Sequence, residues 1–445
     1  MDSGPRLPWH PDRSWADPLI VLLALLALLA AGLALRGRQQ SARRPAERAS
    51  LLGRMTEVTL AGPRLLGRPA TDQAWTKATA QLKEPWDRAL LAVLKAESER
   101  QSEQPETWVD LATPQVQAGQ RFRRVCLAAY AGAPLPERAD RDEVHRRLGN
   151  GYAADLLEAR LLDREGGGEA LRTRAKGALL VRLVGLGLLG LVVLGFAAGG
   201  LALGIYLLVT RTQPLPRPLP EWSLSGRAAA IVLLVWFLGF FIAGNVATLL
   251  LSPWPALRWL ALPLGYLLHA GFGLKLLCAA EGLTPRALWQ RVAPGSAGRD
   301  LAWGFGFLGL AVVLVITVAL LSNLILKPDQ SPQRDLQELL RSLAGWGPSL
   351  ALFLTVAGLA PFWEELLFRG FLLPVLARHQ RMAVALGLSA LLFGLIHLQP
   401  AGLPVLSTLG LVMGLAMRHT GSLRTPILLH ACWNGGLFLL MRAFA

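Results

Sequence analysis

Three short polar interruptions in an apolar stretch carry groups able to do chemistry. The first, WEELLFRG at 363–370, holds Glu364, Glu365 and Arg369; the second, FGLIH, ends at His397; the third, HACWN, runs from His430 to Asn434. Residues four apart share a helix face, so Glu365 lies beside Arg369 and can be neutralised by it. Glu364 projects about 100° away, beside Phe368, and without that partner it is available as a base toward water. His430 and Asn434 share a face by the same spacing, and Phe393 falls under or beside the His397 ring. Polar groups in lipid are costly and turn toward the bundle interior, a cavity or one another. The economical arrangement gathers Glu364, His397, His430 and Asn434 around one pocket from three helices.

The chemistry open to such a pocket is narrow. Ser389 and Ser407 lack a GxSxG setting, and HExxH is absent. Cys432 lies inside HACWN but points away from the face of His430 and Asn434. A glutamate with histidines either activates water directly or holds a metal, with Glu364, His397 and His430 as the alternative zinc ligands. Asn434 and a histidine suit an oxyanion on an attacked amide, so amide hydrolysis without a covalent intermediate fits the set. Each group also has a plainer explanation alone: a structural Glu365–Arg369 ion pair, a helix-capping His397 before QPAG, a His430–Asn434 tie between helices. Their concentration in one short apolar block favours a functional pocket.

The elements that must position these residues are membrane helices. Of the 445 residues 53% are hydrophobic and 17% charged, below the roughly 25% of soluble domains, because of long apolar runs. The net charge is +15. Without zinc-finger spacing or basic–aromatic repeats, that excess reads as cytoplasmic ends facing anionic lipid rather than nucleic-acid binding. Cys126, Cys278 and Cys432 stand far apart and form neither a metal cluster nor a disulfide framework.

The expected fold is all-α: a polytopic membrane helix bundle with an additional polar helical region near the N-terminus. Residues 1–36 form an anchor around PLIVLLALLALLAAGLAL (18–35), and the basic RGRQQSARRPAER (36–48) behind it orients that anchor from outside to cytoplasm. Residues 37–176 are polar, mostly helical and expected in the cytoplasm. Helical spacing recurs at 75–98 (broken at Pro85), in RRVCLAAYAGAP and in YAADLLEARLLDRE. The region is solvated helical filler or a surface for a protein partner, with no chemistry of its own. Residues 177–342 hold spans near 183–209, 228–251, 256–279 and 301–326, with polar breaks at 211–227, 281–300 and 327–342. The block 343–445 holds helices near 345–360, 362–377, 382–397, 403–417 and 425–441, the first two forming one helix broken at Pro361. About eight or nine crossings result.

Depth opposes the pocket at first sight. Arg378/Arg381 and Arg418/Arg424 read as cytoplasmic ends. Glu364 then lies about 20 Å along a straight helix from Arg378, while His430 lies only about 9 Å beyond Arg424. Straight helices scatter the groups, so breaks, tilt or a short helix are required. Pro361, Pro374, Pro400 and Pro404 supply candidate sites.

In order and separation, the EELLFR, FGLIH and HACWN motifs resemble the CPBP family of CAAX-protease and bacteriocin-processing membrane proteins. The resemblance covers about 343–441. It implies an intramembrane endopeptidase in which Glu364 activates water, Arg369 holds Glu365, His397 positions the water or the base, and His430 with Asn434 stabilises the oxyanion. It leaves open a metalloprotease and a glutamate-dependent, metal-independent protease. One base and an oxyanion site account for all the polar groups, so no cofactor is expected, with zinc as the alternative. The resemblance implies a membrane-associated peptide or protein as substrate. A cell membrane, the bacterial inner membrane, is the expected location. A scaffold or immunity-type protein that keeps the fold, and then a transporter, are the rival functions.

Overall fold

The computed structural model describes residues 16–42, 48–65, 67–68, 70–99, 105–115, 118–210, 217–326, 339–340 and 345–443. The expected break at 327–342 lies almost wholly outside them, as do 211–216 and 43–47. The described residues are helical, without strands. They divide into two compact units, 1–39 with 193–440, and 40–192 with 441–445. The boundary expected at 176/177 falls inside one uninterrupted helix, Gly168–Val209, because no proline or polar break interrupts that run.

The polar unit is built from α2 (Leu51–Leu65), α3 (Asp72–Gln81), α4 (Pro85–Glu99), α5 (Pro105–Ala112), α6 (Gly119–Tyr130), α7 (Arg138–Leu148), α8 (Tyr152–Asp163) and the start of α9 (Gly168–Val209). Pro85 opens α4, where its missing N–H costs nothing. Trp86 and Phe122 meet edge to face in its core. Several charges that look scattered in sequence are buried ties. Glu57, fully buried, accepts the Ala153 amide at 2.6 Å and so caps the first turn of α8. Asp87 accepts Ser50 N and Oγ at 2.6 and 2.7 Å, fixing the start of α2. Arg64 donates to the Glu97 and Ser98 carbonyls at the end of α4.

The membrane unit contains α1 (Ala16–Ala42), the rest of α9, α10 (Gly226–Leu251), α11 (Ala261–Glu281), the short α12 (Pro285–Val292) and α13 (Ala297–Leu326). It continues with α14 (Trp346–His379), α15 (Met382–Ile396), α16 (Leu403–Thr420) and α17 (Arg424–Ala443). Among the described residues seven helices are long and apolar enough to span a membrane, and α15 is apolar but shorter. The protein is a multi-pass membrane protein. Without hydrophobic driving force between helices in lipid, small residues let backbones touch. Gly200 of α9 and Gly309 of α13 do so: a Cβ on either would strike the other helix's backbone.

Asp17 at the start of α1 pairs with Arg227 at the start of α10, at 3.0 Å. The segment leading into α10 also takes Arg378, which donates to the Trp222 carbonyl at 2.8 Å. The start of α1 and Arg378 thus share one end of the bundle. The orientation expected from Arg36–Arg48 puts that end outside and the one expected from Arg378/Arg381 puts it in the cytoplasm, so the two exclude each other.

The depth problem is solved by a sunken turn. Ser422 and Leu423 between α16 and α17, and Thr425 in the first turn of α17, are fully buried. Leu423 N donates to Val292 O at 2.8 Å, and Ser422 Oγ to Asp300 Oδ2 at 2.6 Å. Gly421, at φ +60°, lies against Arg217 and the Pro218 carbonyl. Covered by α12 and the segment before α10, α17 starts inside the bundle.

Candidate active site

The two glutamates stand on α14, which does not break at Pro361. It carries two π turns instead, Thr355–Leu359 and Leu366–Leu372, one on each side of Glu364 and Glu365. Wide turns of this kind re-aim side chains and leave carbonyls unanswered. In the first, Ala360 N reaches back to Thr355 O, and Pro361 has no N–H to offer. The Val356 carbonyl left over is answered by Asn434 Nδ2 of α17 at 3.0 Å.

Glu365 and Arg369 are both fully buried and paired at 2.8 Å, as the spacing requires. Arg369 also donates to Gly410 O of α16 at 2.8 Å, and its guanidinium lies 4.5 Å above the Phe393 ring. The same Glu365 Oε1 lies 2.9 Å from His430 Nδ1, a link the motif spacing does not reveal. A carboxylate bonded to a guanidinium can only accept, so His430 Nδ1 carries the hydrogen.

His397 follows the last residue of α15. Its Nδ1 lies 2.7 Å from Phe393 O, again an acceptor, so Nδ1 is protonated there too. The ring rests on Phe393, with centroids 4.8 Å apart, and Phe393 also meets the His430 ring at 5.7 Å. Phe393 is thus the floor shared by both imidazoles and by Arg369.

With each Nδ1 occupied, each Nε2 points a lone pair inward. Both stand 3.9 Å from Glu364 Oε2, which is buried and has no hydrogen-bond partner. Glu364 Oε2 and the two Nε2 atoms, from α14, the end of α15 and α17, face one space, with both nitrogens beyond direct hydrogen-bond reach of the carboxylate oxygen. Glu364, His397 and His430 are therefore brought together. Asn434 stands one turn beyond His430 and spends one amide hydrogen on the Val356 carbonyl. The two other unforeseen partners, Gly410 O and Val356 O, are backbone atoms; Pro361 was the signal that the Val356 carbonyl would need a side-chain donor, and nothing in the sequence marked Gly410.

Zinc bonds of about 2.1 Å in a tetrahedron place ligand atoms about 3.4 Å apart. The two separations of 3.9 Å are wider, and no group of three His, Cys, Asp or Glu side chains among the described residues is placed to hold a metal ion.

Residues 346–436 match the family model for Type II CAAX prenyl endopeptidase Rce1-like. The C-terminal block carries an Rce1-like domain. It spans all three polar motifs and about a fifth of the chain. Comparison with curated proteins and with solved structures gave no match. The Rce1-like domain is of a membrane protease type, which agrees with the CPBP resemblance and supports intramembrane proteolysis in broad terms.

Proposed function

We propose that the Rce1-like domain hydrolyses a peptide bond of a membrane-associated protein or peptide, using water activated by Glu364. The observation that carries this reading is Glu364 Oε2, orphaned and equidistant from two imidazole lone pairs. Polar atoms separated this way are commonly joined through water. One water set off the line between them bridges Glu364 and His397, giving one hydrogen to Glu364 and one to His397 Nε2.

On attack, the water oxygen bonds to the carbonyl carbon and its proton passes to Glu364. The carbonyl electrons collect on oxygen, giving a tetrahedral oxyanion. The second Asn434 amide hydrogen is a donor to that oxygen, and His430, its Nδ1–H held by Glu365, stands beside it. Collapse of the oxyanion breaks the C–N bond as Glu364 returns its proton to the leaving amine. The products are a carboxylic acid, which keeps the second water hydrogen, and an amine. The reading needs no metal, and Glu364, His397 and His430 remain the ligand set for the zinc alternative.

The family's name points to prenylated CAAX peptides as a first substrate class; an apolar peptide without prenyl is the necessary comparison. The test is purified full-length protein with a farnesylated fluorogenic CAAX peptide and its unprenylated twin, followed by trapping on Glu364→Gln and peptide identification. Cleavage by the native chain and none by Glu364→Gln is expected. Undiminished turnover by Glu364→Gln would remove Glu364 as the base.

A further inference from the structure

The second π turn is followed by Pro374, which brings no N–H to the carbonyls one turn back. At α-helical spacing the Gly370 carbonyl is answered by the N–H of residue 374, which is Pro374 and has none. Its donor comes from outside the helix and outside the matched segment: Trp222 Nε1 lies 2.8 Å from Gly370 O, both buried. Gly370 follows Arg369, the residue that holds Glu365.

Trp222 is itself held from four sides. Its ring meets Phe371 edge to face at 4.9 Å, and the Arg291 guanidinium lies 5.7 Å over it. Its own carbonyl accepts Arg378 Nη1 at 2.8 Å, so the residue grips the glutamate helix twice, on either side of Pro374. Behind it, Glu281 accepts Ser223 N and Oγ and Leu224 N at 2.9 to 3.2 Å. Glu281 is paired in turn with Arg291 at 2.8 Å. The segment before α10 is thus anchored to α11 and α12 and presents one indole N–H to the π turn. An unanswered buried carbonyl is costly enough to shift a turn toward another hydrogen-bond register, which would rotate Arg369 away from Glu365 and Gly410.

We propose that Trp222 is a positioning residue of the protease site. Its indole N–H replaces the helical donor that Pro374 lacks and keeps the π turn in the register that aims Arg369. The proposal rests on the protease reading for its effect on turnover, but not for its effect on the turn.

The test uses full-length protein in detergent. Trp222→Phe keeps a ring against Phe371 and removes only the N–H. Expected is a fall of about tenfold in kcat on the farnesylated peptide, with KM unchanged within about twofold. Amide exchange across 366–372 should quicken. In a Pro374→Ala background, residue 374 supplies its own N–H, and Trp222→Phe should then cost less than about twofold in kcat and less in melting temperature than in the native background. Equal cost in both backgrounds would mean that Trp222 acts by packing alone, and the proposal would fall. If Glu364→Gln cleaves normally, the catalytic reading has failed separately. The Trp222–Pro374 coupling is then decided by the melting temperatures and by amide exchange.

Discussion

Glu365 and His430, on helices far apart in the chain, are joined at 2.9 Å through the same carboxylate oxygen that receives Arg369. One buried acid thereby serves two bases: it neutralises the guanidinium and fixes which nitrogen of the imidazole carries hydrogen. Glu364 next to it has neither duty and faces the two Nε2 atoms. On the proposed reading the doubled glutamate divides structure from chemistry, and substitutions should separate the two.

Glu365→Gln is expected to lower both stability and turnover. Removing one member of a buried ion pair leaves the other charge uncompensated and typically costs about 3–5 kcal/mol. It also frees the His430 tautomer. Thermal melting beside peptide cleavage checks this; a native melt would show that the pair does not hold the fold.

Arg369→Lys should behave as a damaged rather than a conservative substitution. A lysine ammonium cannot bond Glu365 Oε1 and Gly410 O with a rigid fork while stacking on Phe393. A lower melting temperature than native is expected, with activity reduced in step. Native behaviour in both assays would reject the structural role of Arg369.

Chelation offers a separate check. Dialysis of active protein against a strong chelator should leave cleavage intact, with metal content by elemental analysis well below one ion per chain. Loss of activity restored by zinc would move Glu364, His397 and His430 to the role of ligands.

A bulkier residue at the α9–α13 crossing should loosen the bundle. Gly309→Val drives its side chain into the Phe196 carbonyl and Gly200, which are backbone and cannot move aside as a flexible side chain would. Melting of Gly309→Val well below native is expected, whereas Gly271→Val, with open space around its Cβ position, should melt close to native.

In the polar unit, His145 supplies a pH-dependent contribution. Its Nε2 lies 2.9 Å from Asp155 Oδ1 and its Nδ1 2.9 Å from Asn150 Oδ1. Burial pulls its pKa down, but the hydrogen bonds to Asp155 and Asn150 outweigh that and leave it above the ordinary 6.5. A histidine raised in this way stabilises fully below its unfolded value and loses that contribution as pH rises through the folded value. The melting difference between native protein and His145→Gln should therefore be larger at pH 6 than at pH 8. An equal difference at both would sink the assignment.

The all-α membrane fold and the three motifs were legible in the sequence, because helical periods and apolar length are local properties. The spans read near 228–251 and 301–326 appear as Gly226–Leu251 and Ala297–Leu326. The Glu365–Arg369 pair was legible for the same reason, being one turn apart. Prolines marked the places where α14 would depart from regular geometry, though not that the outcome would be π turns rather than a break.

What only the tertiary structure decided is who answers whom across helices. His430 reaches Glu364 and Glu365 because the turn at 421–423 is buried under α12, a packing outcome that no period in the sequence encodes. The donors for Val356 and Gly370 come from Asn434 and Trp222, since a buried carbonyl takes the nearest hydrogen the fold offers, whatever its place in the chain. Sequence fixes which groups are present and which face of their own helix they occupy. The long-range packing sets their partners, because hydrogen bonds and desolvation act over a few ångströms of space rather than along the chain.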